Sequence, residues 1–70
     1  MIRFYRVSYC IDSRYELVDY YLDLAVANAR ALGLSNALSA KDCLVISQID
    51  VYPSESVTRP IVTINGRLGA

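Results

Sequence analysis

Apolar and polar positions change rhythm several times along the chain. Residues 2–11 (IRFYRVSYCI) are β-branched and aromatic types with no Gly or Pro, the composition of a strand. Read alternately, Tyr5, Val7, Tyr9 and Ile11 share one face, and Phe4, Arg6, Ser8 and Cys10 share the other. The first set is more uniformly apolar and is the expected buried face. Asp12-Ser13 breaks this strand, and Ser13-Arg14-Tyr15-Glu16 matches the S-x-x-E capping box that satisfies the free amides of a first helical turn. The ELVDYYL stretch that follows fits either the second strand of a hairpin or a helix. Wound at about 100° per residue, Glu16, Asp19, Asp23 and Arg30 fall within an arc of about 60°, and Leu17, Val18, Tyr21, Leu24, Ala25 and Leu32 fill the rest. As a strand, the same stretch sets Leu17, Asp19 and Tyr21 on one face. The pattern therefore predicts one long amphipathic helix over residues 13–33, with Gly33 as the left-handed residue after its end.

Residues 34–42 read as a connection and residues 43–52 (CLVISQIDVY) as a second strand. Cys43, Val45, Ile49 and Val51 form its expected buried face, interrupted by Ser47. Pro53-Ser54-Glu55-Ser56 is turn chemistry. Residues 60–65 make a short third strand with Pro60 at its start, and the last four residues are expected to fray. The predicted class is α+β in the order β-α-β-β: one domain over 1–70, with the long helix packed on a small three-stranded mixed sheet. A crossover helix makes the first two strands parallel, and the short connection after the second makes the third antiparallel to it. Parallel strands would put Cys10 and Cys43 at opposite ends of the sheet, which disfavours an intrachain disulfide.

One helix covers one face of such a sheet, so apolar surface is left over. The open sheet face is expected to show Phe4, Arg6, Leu44, Ile46 and Tyr52, and the helix flanks Tyr20, Tyr21, Leu22 and Val26. These nine residues are the candidate partner-binding set.

Composition narrows the function classes. The chain has 70 residues, 54% of them apolar, with a mean hydropathy of +0.29, outside the low-hydrophobicity signature of disorder. So small a core needs extra support. There is no His and there are two Cys, so neither a Cys/His zinc site nor a disulfide framework supplies it. Association with a second copy or another protein remains. Net charge is zero and the pI about 6.0, which argues against nucleic acid as a partner. Charges interrupt the apolar N-terminal stretch, and no uncharged run nears the roughly 20 residues that span a bilayer. A soluble cytoplasmic protein with no membrane contact is expected.

Two constellations invite a sharper reading. Arg3, Phe4, Tyr5, Arg6, Tyr9 and Arg14 could stack single-stranded nucleic acid on a sheet, but Tyr equally suits any half-buried pleated surface. Glu16, Asp19 and Asp23 could hold a hard cation, but they sit where a surface helix puts its charge. No residue is assigned a catalytic, cofactor or metal role. The six Tyr, with no Trp, supply amphipathic contact area of the kind enriched at interfaces.

In outline the strand–helix–strand–strand order is similar to dodecins, small flavin-storing rings, and more loosely to short tautomerase subunits. The dodecin resemblance implies an oligomer that binds a cofactor between subunits. This chain has no Trp on which to stack a flavin, and Ile2 stands where a tautomerase has its N-terminal Pro. In size and class the chain is also similar to small phage-encoded inhibitors of host complexes. The expected function is a non-enzymatic, homo-oligomeric protein–protein interaction module that binds a protein partner. The alternatives are an oligomeric small-molecule or cofactor binder and, third, a single-stranded nucleic-acid binder through the first strand.

Overall fold

The computed structural model describes residues 1–39 and 41–66. The element order is β1 (Ile2–Ile11), β2 (Arg14–Tyr21), α1 (Leu24–Ser35), β3 (Cys43–Val51) and β4 (Ser56–Asn65). All neighbouring strands are antiparallel, in the order β2-β1-β3-β4. The protein is thus a small α+β fold with a four-stranded antiparallel sheet and one short helix. The expected β-α-β-β order, with a long helix on a three-stranded mixed sheet, is overturned. The outline behind the dodecin and tautomerase resemblance goes with it.

The reversal happens at Asp12 and Ser13. Both hold positive φ, 50° and 65°, in a two-residue loop whose flanking residues Ile11 and Arg14 pair directly. Two successive left-handed residues match the right-handed twist of the flanking strands, so the chain folds back as a hairpin. The capping-box pattern at Ser13 and Glu16 is therefore incidental. The helix cap is Asp23, whose carboxylate accepts from the Ala25 N–H at 2.8 Å. Gly33 lies inside the helix rather than after it.

A β-bulge explains why strand logic was invisible over residues 14–21. Val7 pairs with Asp19 and Ser8 with Leu17, leaving Val18 as an extra residue on β2. Alternation restarts there. Tyr15 and Leu17 share a face with Tyr20, whereas Val18 and Tyr21 turn to the core.

The helix packs on one face of the sheet through Ala27 and Ala31, both fully buried, against Val7, Leu44 and Ile46, with Leu38 closing the cluster. Leu24, Ala27, Ala31 and Leu34 recur at helical spacing, and the small alanines let the helix approach closely. Fully burying side chains such as Leu44 and Ile46 contributes about 1.5–3 kcal/mol each. Tyr5, Tyr9, Val18, Tyr21, Val62 and Ile64 pack around them. Gly66 closes the far end: a Cβ there would collide with the Ser39 carbonyl oxygen and lie 2.8 Å from the Leu38 Cβ.

β4 begins earlier than residue 60 and carries Pro60 within it. Tyr52 N–H donates to Glu55 C=O at 2.8 Å and Gly66 N–H to Asp42 C=O at 2.9 Å. Even-numbered residues of β3 therefore turn their backbone toward β4 and odd-numbered ones toward β1. Pro60 pairs with Ser47, an odd position, so its missing N–H faces the free edge and costs the ladder nothing. The expected fraying of the last four residues lies outside the described residues.

Candidate functional site on the open face of the sheet

The helix leaves one face of the sheet uncovered; the centre of that face (Ser8, Val45, Ser47 and Ile49) is nevertheless buried among its neighbours, and its exposed apolar surface lies on β2. The register places Phe4, Arg6, Ser8 and Cys10 of β1 there, beside Cys43, Val45, Ser47 and Ile49 of β3. From the edges come Tyr15, Leu17 and Tyr20 on β2 and Thr58, Pro60 and Thr63 on β4. Among the described residues Arg6 is the one charged side chain on this face. A solvated sheet face normally alternates polar residues outward. Here the aromatic and apolar side chains Phe4, Tyr15, Leu17, Tyr20, Val45 and Ile49 predominate, with Tyr15 70%, Leu17 55% and Tyr20 49% exposed. Phe4 and Tyr20 meet edge to face with ring centroids 5.6 Å apart.

At the centre of the face lies a shallow cavity of about 170 Å³, lined by Arg6, Ser8, Tyr15, Val45, Ser47, Thr58 and Pro60. Both bulges of the sheet fall beside it, between Val7 and Ser8 and between Ile46 and Ser47. Bulges bend a strand and re-aim its side chains. The lining brings one guanidinium and four hydroxyls together without a carboxylate. Arg6 Nε is buried and has no hydrogen-bond partner among the described residues, although buried donors are nearly always paired. Such a set can accept an anionic group of carboxylate size.

The other charged cluster behaves differently. On the helix side of the sheet, Asp50 is buried and takes both arms of Arg3, Nε to Oδ1 at 2.7 Å and Nη2 to Oδ2 at 3.2 Å, plus the Gln48 amide at 3.2 Å. The Arg3 hydrogen bond, against opposing desolvation and helped by Gln48, holds the Asp50 carboxyl below its ordinary range. Asp50 is satisfied within the fold. Arg6 is not.

The candidate partner-binding residues separate into groups. Phe4, Arg6 and Tyr20 come together on the open face. Leu44 and Ile46, expected beside them, are fully buried beneath the helix. β1 has the expected faces, but β3 has the opposite ones, because this central strand is buried on both sides and its hydrophobicity does not choose between them. Tyr21 packs against the core, whereas Leu22 is 81% and Val26 51% exposed around the helix start. Tyr52 is 41% exposed just beyond β3. Tyr15, Leu17, Thr58 and Pro60 join the site unexpectedly: the β1–β2 register places the first two and the β3–β4 register the last two. The Glu16, Asp19, Asp23 and Arg30 stripe does not exist, since Glu16 and Asp19 are on a strand, and Asp19 accepts from the Tyr20 N–H at 2.8 Å. Among the described residues no group of three or more His, Cys, Asp or Glu is placed to hold a metal ion, and no helix is long and apolar enough to cross a membrane. No protein-family model, curated protein or solved structure matches the chain.

Proposed function

We propose that this protein is a non-enzymatic protein-interaction module whose open sheet face receives a protein partner, with a carboxylate side chain of that partner seated against Arg6. The observation that carries the reading is a mainly apolar and aromatic sheet face on which Arg6 is, among the described residues, the one charge, and that charge has an orphaned buried Nε. Such a face is costly against water and productive against another surface. The molecule measures 45 × 24 × 15 Å, so its broad side accommodates the roughly 800 Å² per partner that stable interfaces bury.

Charge favours a different protein over a second copy as the occupant. A two-fold dimer through this face would bury two Arg6 guanidiniums with no carboxylate among the described residues of either copy's face. The cavity is also smaller than the 300–1,000 Å³ or so of small-molecule pockets, which weighs against the cofactor reading. The nucleic-acid reading has exposed Tyr15 and Tyr20 in its favour but a single cation among the described residues of the face against it.

The test compares the wild type with R6E and with R30E, which changes the same charge on the exposed side of the helix. A partner captured by wild type and R30E but lost with R6E supports the reading, provided hydrogen exchange in the complex protects β1 and β3 amides and footprinting protects Tyr15 and Tyr20. A partner that R6E retains, or a footprint confined to the helix, overturns it.

A further inference from the structure

The hairpin that displaces the expected crossover also moves the cysteines. β1 and β3 run antiparallel, and Cys10 is the direct register partner of Cys43. We propose that Cys10 and Cys43 form a reversible dithiol–disulfide couple that joins β1 to β3 on the open face of the sheet. This inference is independent of the partner-binding reading.

Geometry carries it. Cys10 and Cys43 pair in a register without a shift, and the odd-numbered residues of β3, Cys43 among them, turn their backbone toward β1. Cys10 and Cys43 are therefore a hydrogen-bonded antiparallel pair, with Cα atoms about 5.5 Å apart. That lies inside the roughly 4.4–6.8 Å range that a disulfide spans. Side chains of paired residues point to the same side of the sheet, and here both thiols are free and partly exposed. The Cβ atoms of directly opposed residues are about 4.5–5.5 Å apart, nearer the upper end in hydrogen-bonded pairs, while a disulfide prefers about 3.8 Å. Closing the bridge must draw the strands together. A bridge under such tension is readily reduced, which makes the couple reversible rather than structural.

The oxidant is a low-molecular-weight disulfide. One protein thiolate attacks it, forming a mixed disulfide and releasing one small thiol. The second protein thiolate then attacks the protein sulfur of that mixed disulfide, closing the Cys10–Cys43 bond and releasing the second small thiol. Two electrons pass from the protein sulfurs to the external disulfide, and the two thiol protons end on the two released thiols. Burial first, then the facing Cys10 sulfur, pushes the Cys43 thiol up in pKa, a direction that suits Cys43 to the later, resolving step.

The full chain is equilibrated in mixtures of reduced and oxidised glutathione, quenched in acid, alkylated with a maleimide and mapped by mass spectrometry. The expected product is a monomer that has lost two hydrogens, takes no maleimide and yields the Cys10 and Cys43 peptides joined. It reverts to the dithiol as reduced glutathione is raised. The reduced wild type should bind one equivalent of phenylarsine oxide, which bridges close thiol pairs. C10S and C43S should each lose that binding and stop at a single glutathione adduct. Glutathione on both cysteines, disulfide-linked dimers, two free thiols in oxidised glutathione, or a bridge that excess reduced glutathione does not open would each overturn the proposal. The wild-type measurements decide even if a single variant fails to fold.

Discussion

Ser13→Gly separates a hairpin from a helix by the sign of its effect. Ser13 holds φ 65° at the second position of the two-residue turn between β1 and β2. An L-residue in that region costs about 1–2 kcal/mol relative to a right-handed conformation, and glycine avoids most of that cost. Glycine's extra freedom in the unfolded chain returns about 0.5–1 kcal/mol. The net expectation is a gain of about 0.5–1 kcal/mol, which in a domain of this size raises Tm by about 2–8 °C. Were residues 13–21 helical with Ser13 as the cap, Ser13→Gly would cost a few tenths of a kcal/mol and Ser13→Ala about 1 kcal/mol. In the turn, Ser13→Ala keeps the same strain and changes stability by less than about 0.5 kcal/mol. Urea unfolding of the three proteins, followed by tyrosine fluorescence and far-ultraviolet circular dichroism, measures all of this. A less stable Ser13→Gly variant alongside a Ser13→Ala cost near 1 kcal/mol would refute the hairpin.

The two described glycines should respond oppositely to alanine. Gly33→Ala meets nothing within 4 Å inside the helix and is expected to stabilise by about 0.5–1 kcal/mol, whereas Gly66→Ala drives a Cβ into backbone at Ser39 and should cost about 1–3 kcal/mol; thermal melts compare them. Asp50 releases its proton more readily folded than unfolded, so its contribution is present above the ordinary Asp value and lost as pH falls through the lower folded value. Stability should therefore drop as pH falls below about 4, with Asp50→Asn flattening that limb of the urea midpoint against pH. Arg6→Met removes a buried Nε donor with no partner among the described residues, so it should leave stability unchanged or raise it by up to about 1 kcal/mol in urea melts. A loss above 1 kcal/mol would mean that Arg6 serves the fold rather than a partner.

Some of this architecture is legible in local chemistry. The β-branched and aromatic run of residues 2–11 marks β1 with its observed bounds, and the Tyr5, Val7 and Tyr9 face is the one that packs under the helix. The open face is harder to read because its strands come from distant parts of the chain. Arg6 lies in β1, but its cavity is completed by Tyr15, Val45 and Thr58, which the register brings together.

By itself the sequence determined a small α+β chain, the strand character of β1 and β3, and the antiparallel return of β4 onto β3. Each depends on residues close together in sequence or on a short connection. Tertiary structure alone decided three further features. Residues 14–21 became a strand because two left-handed turn residues and pairing to β1 outweighed a helical charge stripe. The bulge at Val18 hid that strand's alternation, and a bulge is a relation between two strands rather than a property of one. β3 showed the opposite faces from those expected because, apolar on both sides, it takes its orientation from register with β1. The same register set Cys10 against Cys43 and left Arg6, among the described residues, as the one charge on the open face. Local propensity chose among short-range options, and long-range pairing energy decided between them.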